Sequence, residues 1–146
     1  MEVSIVRNRI RALFEQAKRP AEERRAARRA QMDAATREYE TFLERNAVPL
    51  FKQVANVLRA EGYQFDVFTP GGSVRLMASR GNDDYIEVVL DTNGDAPKLL
   101  GRVSRSRAGN VSQTELVLNA TADIAALTEE DVLAFVLSGL EGYFAS

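Results

Sequence analysis

Around Glu61-Gly62 the apolar residues of this chain change their period, and that change sets the fold class. Upstream they recur at intervals of three and four; downstream they recur at every second position. A helix returns to the same face every 3.6 residues and a strand every two, so neither pattern serves the other structure. The chain reads as helical up to Gly62, a common helix terminator, and as sheet-forming beyond it.

Residues 3–18 set Val3, Val6, Ile10, Leu13 and Ala17 on one helical stripe. Pro20 disfavours helical geometry at Arg19, which predicts a break or kink there and a second helix over 21–46 with Pro20 in its first turn. Up to Glu38, Met32 is the only large apolar side chain of that second helix, and the stripe resumes at Tyr39, Phe42 and Leu43. A single helix over 21–46 is about 40 Å long, more than a small domain covers, so its first part is expected to project. Asn46–Pro49 signals another break, followed by a helix over 49–61 carrying Leu50, Phe51, Val54, Val57 and Leu58.

Five strands follow, at 63–69, 73–79, 84–91, 98–106 and 111–118, separated by turns rich in Gly with Pro, Asn or Asp. Phe65/Val67, Val74/Leu76 and Ile86/Val88/Leu90 face one way, and Asp66, Arg75 and Glu87 the other, which is the pattern of an antiparallel meander with one wet face. Thr128 is the N-cap of a final helix over 128–144. Its apolar stripe is Val132, Phe135, Val136, Leu140 and Tyr143, with Gly139 on the same face. The expected fold is α+β: a helical extension, a five-stranded meander over 63–118, and the last helix packed on one sheet face. The expected division is a helical extension over 1–46 and a compact domain over 47–146.

The 146 residues contain neither His nor Cys. That removes the commonest general base and metal ligand, thiolate nucleophiles and the usual zinc sites. No Walker motif, G-x-G-x-x-G or Ser-x-x-Lys is present, so the chain reads as no enzyme, without catalytic residues, cofactor or metal. Asp91, Asn93 and Asp95 are spaced like calcium-loop ligands, but Ala96 stands where such a loop needs Gly and Arg102 where it needs Glu. A β-turn, with Asp91 capping the strand end, accounts for every residue of that stretch. Asp83-Asp84 reads as a hairpin tip in the same way.

Charge is divided unevenly. Residues 1–62 carry 13 Lys and Arg against 9 Asp and Glu, and residues 63–146 carry 6 against 12, so the halves stand at +4 and −6. Arg19, Arg24, Arg25, Arg28 and Arg29 concentrate the positive charge and form a candidate contact for nucleic acid or another anion, including the acidic half of a second copy. A solvated or protein-contacting helix face explains them as well, and no aromatic residue lies among them to stack on bases. The stripe Val3, Val6, Ile10 and Leu13 must bury itself somewhere: back on the domain through a helical hairpin at Pro20, against a second copy, or in another protein. Arg7, Arg9 and Arg11 beside it also suit a membrane surface, against which Glu2 and Glu15 weigh.

Taken together, these features describe a protein–protein interaction module that self-associates or docks through its N-terminal helices. The alternatives are a nucleic-acid-associated accessory protein using residues 18–29, and a ligand-binding or enzymatic module using the polar sheet face. No stretch is long and apolar enough to span a bilayer, charges interrupt any secretory signal, and the lack of Cys fits the cytoplasm.

Overall fold

A computed structural model describes residues 1–79, 83–94, 98–118 and 126–144. Helix α1 (Val3–Phe42) is followed by a π-helical turn (Leu43–Ala47) and α2 (Val48–Ala60). Strands β1 (Phe65–Phe68), β2 (Val74–Ala78), β3 (Tyr85–Asp91), β4 (Lys98–Arg107) and β5 (Asn110–Val117) come next, and α3 (Glu129–Phe144) closes the order. By internal contacts the chain divides into two units, Met1–Ala34 and Ala35–Ser146, with the boundary inside α1.

The first unit is helix alone. Pro20 was expected to end a helix near residue 18 and start another at 21; instead it lies inside α1, which runs unbroken from Val3 to Phe42. The ring holds φ near the helical value, so what Pro20 removes is one backbone hydrogen bond, and it crowds the preceding turn at a cost of about 3 kcal/mol. The Arg, Ala, Glu and Gln residues on both sides are strong helix formers, and they carry the helix through. There is consequently no hairpin corner at Pro20.

The break expected at Asn46–Pro49 is likewise absent. The Val48 amide donates to the Leu43 carbonyl, five residues back, and α2 then continues with Pro49 in its first turn. The wider turn shifts the hydrogen-bond ladder where Pro49 has no N–H to offer, so the proline is accommodated without ending the helical run.

The second unit contains the core. The five strands form one antiparallel sheet in the order β1-β2-β3-β4-β5, the meander anticipated from the alternating pattern. The register pairs Val74 with Val88, Leu76 with Ile86, and Val88 with Gly101. Phe65, Val74, Leu76, Ile86, Val88 and Leu99 from the sheet share one apolar cluster with Phe42, Leu50 and Phe51 from the helices, and with Val132, Phe135 and Val136 from α3. Fully burying each such side chain contributes about 1.5–3 kcal/mol. The β1–β2 connection is a short 3-10 turn over Pro70–Gly72, and Gly72 takes the left-handed backbone conformation that closes it. Thr128 and Asp131 cap α3 reciprocally: Thr128 Oγ1 accepts from the Asp131 amide, and Asp131 Oδ2 accepts from the Thr128 amide.

Tyr39 ties α1 to the sheet, its hydroxyl donating to the Val88 carbonyl at 3.1 Å in a buried setting. Burial first, and then the Glu87 carboxylate, push the phenol far above its ordinary pKa. A group whose folded pKa lies above its unfolded value stabilises the fold fully below the unfolded value, about pH 10 here, and loses that contribution as pH rises further. Denaturant unfolding of the wild type should therefore show stability falling in alkali more steeply than for Tyr39→Phe. Parallel curves for the two proteins would mean that the phenol ionises in the folded state as it does in the unfolded one.

Candidate interaction surface

The stripe read from the sequence lies on the first four turns of α1. Val3, Val6, Ile10 and Leu13 share one face because their spacings of three and four follow the helical period. All four are exposed, from 43% for Val6 to 71% for Val3. Phe14, 58% exposed, belongs to the same face four residues after Ile10. The sequence reading passed over it, although the i to i+4 step from Ile10 was there to find it. Ile5 is exposed as well but falls off the stripe.

Arg19, Arg24, Arg25, Arg28 and Arg29 are all exposed on the continuation of α1. Since the helix is unbroken, Arg24 stands one turn from Arg28, and Arg25 one turn from Arg29. They make a positively charged segment next to the apolar one on the same element.

The sheet face opposite the core is the second place where polar groups gather. In register, Arg75 faces Glu87, Glu87 faces Arg102 and Arg102 faces Glu115, so alternating charges cross β2 to β5. Glu87 was expected to be solvated there, but it is only 4% exposed. Ser73 Oγ donates to its Oε1 at 2.7 Å, and Arg75 Nη2 donates to its Oε2 at 3.1 Å. The Arg75 guanidinium also lies 4.0 Å from the centre of the Tyr85 ring, which covers it from one side. Neighbouring side chains replace water around Glu87, which the alternating pattern by itself does not indicate.

Asp66 stands apart from that row. Its carboxylate accepts from Arg59 at 3.0 Å and from Ser79 at 3.2 Å. It lines a cleft of about 620 Å³ beside α2 and β1 together with Lys52, Asn56, Arg59 and Phe68, and neither Arg75 nor Glu87 borders that cleft. The three polar residues singled out on the sheet thus do not converge on one pocket. Of the calcium-like stretch, Asp91 Oδ1 accepts from the Asn93 amide at 2.9 Å, which is a local turn bond. Asp95, Ala96 and Pro97 lie outside the described residues. Asp84 Oδ1 accepts from the Ser106 amide at 2.8 Å, tying the hairpin tip to the neighbouring strand.

No protein-family model matches the chain, and no curated protein or solved structure matches it either. No described helix is long and apolar enough to cross a membrane.

Proposed function

We propose that this chain is a non-enzymatic protein–protein interaction module that associates through Val3, Val6, Ile10 and Leu13. The observation that supports this reading is an apolar stripe left exposed on a helix that continues unbroken past Pro20. With no corner at Pro20, the hairpin that would have folded the stripe back is not available. Covering the exposed part of each of these side chains contributes roughly 1 kcal/mol or more, and leaving all of them in water forgoes that. Arg24, Arg25, Arg28 and Arg29 add an electrostatic contact to an acidic partner surface, worth little per pair when solvated. The folded second unit acts as the body that carries this helix. Work in a reducing cytosol suits a chain without Cys.

Photo-crosslinking in the cells that make the protein tests the reading. A photoreactive residue at Leu13 is expected to give protein adducts, and the same residue at Asn8, on the other side of the helix, to give none. Absence of protein adducts from Leu13, or adducts to lipid or nucleic acid alone, would overturn it; nucleic-acid adducts would favour the arginine segment as the working surface.

A further inference from the structure

Resting on that reading, we infer that the partner of the stripe is a second copy of this chain, in a parallel, in-register, two-stranded coiled coil over residues 3–17. The spacings of three, four and three from Val3 through Val6 and Ile10 to Leu13 are those of alternating heptad seam positions. Val3 and Ile10, both β-branched, take the first seam position, and Val6 and Leu13 take the second. Ile10 with Leu13 is the β-branched and Leu pairing that favours two parallel strands, and Val6 departs from it at the other second position. The seam ends at Ala17, since the same frame brings Pro20 and then Arg24 onto the face.

Charge chooses between the two ways of pairing copies. In a parallel pair the residue before each first seam position meets the residue five further along on the other chain. Glu2 then faces Arg7 of the second copy, and Arg9 faces the ring of Phe14, both attractive contacts. In an antiparallel pair with the stripes fully overlapped, Val3 lies against Leu13 and Val6 against Ile10, and Arg9 meets Arg9 of the second copy. Parallel pairing therefore gains an ion pair at each flank, and antiparallel pairing places like charges together. The seam is short, but α1 is already helical through Phe42, so association need not form the helix first.

The 146-residue chain has no Cys, which makes an introduced thiol unique in each copy of it. Sedimentation equilibrium over a concentration series is expected to show a dimer of the 16.2 kDa chain. Leu13→Cys should form a disulfide-linked dimer in a glutathione buffer about tenfold faster than Asn8→Cys, because parallel pairing brings the two thiols together. In the antiparallel arrangement the two copies of residue 13 are about 15 Å apart along the axis, beyond disulfide reach. Val6→Cys repeats the test at the other second-position residue, and all these sites are exposed, so folding is not at stake.

A dimer in which Leu13→Cys and Val6→Cys link no faster than Asn8→Cys overturns the parallel arrangement, as does any mass other than a dimer. A monomeric chain that still yields protein adducts from Leu13 in cells overturns the second-copy inference alone. Loss of those adducts removes the interaction reading beneath it.

Discussion

Arg75→Met is expected to destabilise the second unit by about 3 kcal/mol, since it leaves the Glu87 carboxylate buried without its cationic partner. Glu87 is nearly sealed from water, and its two oxygens are held by Ser73 and Arg75. Removing Ser73 Oγ would cost one hydrogen bond; removing Arg75 strands a charge. The pair itself need not be net stabilising, because burying both ions costs solvation that their attraction only partly returns. Arg75 is moreover 26% exposed and its Nε–H finds no acceptor, which keeps the loss at the low end of the range for buried pairs. The double replacement Arg75→Met/Glu87→Leu should accordingly recover most of the lost stability. Urea unfolding followed by tyrosine fluorescence measures this cleanly, since Tyr39, Tyr63, Tyr85 and Tyr143 all lie in the second unit and the chain has no Trp. A loss below about 1 kcal/mol for Arg75→Met would mean that water reaches Glu87 once the guanidinium is gone.

That carboxylate also marks where reading a sequence stops. Alternation in "YIEVVLD" assigns Glu87 to the face opposite Ile86 and Val88, and the structure agrees. Whether that face is wet depends on what stands beside Glu87 on β2 and β4, which is a matter of register. Register rests on the connections between neighbouring strands as much as on the apolar pattern. The strands, their antiparallel order and the Thr128 cap were legible because each depends on a few neighbouring residues. The two helix breaks were misread for a related reason. Pro20 and Pro49 carry a local penalty, and local rules weigh it without the long run of helix formers around Pro20 or the wider turn that accommodates Pro49.

The stripe on α1 was legible as a stripe, because spacing alone defines it. Its exposure was not legible. A hairpin at Pro20 would have buried the same residues, and only the unbroken helix removes that option. The candidate surface therefore combines a pattern written in the sequence with a backbone path at Pro20 that the sequence left open between a hairpin corner and a kink.

Gly101 and Phe135 form the packing contact with the largest expected response to mutation. Gly101 lies on the core-facing side of β4, opposite Val88, and a Cβ there would fall 2.5 Å from Cε1 and Cζ of the Phe135 ring. Carbon atoms pack at roughly 3.5–4.0 Å, so Gly101→Ala must displace a ring that is 6% exposed and held within the core cluster. Relieving glycine's backbone entropy returns about 0.5–1 kcal/mol, less than the 1–3 kcal/mol typical of overpacking. A net loss of about 1–2 kcal/mol is expected. Phe135→Ala empties the same space from the other side and should cost about 3–5 kcal/mol. The two changes touch one volume, so their effects should not add: the clash that Gly101→Ala creates with the Phe135 ring is absent once Phe135→Ala has removed the ring. In Gly101→Ala/Phe135→Ala the added methyl occupies part of the cavity, and the double variant should be more stable than the sum of the singles by about 1–3 kcal/mol. Additive losses in urea unfolding would show that the ring swings aside at little cost, and that the missing Cβ of Gly101 is not what seats α3 against β4.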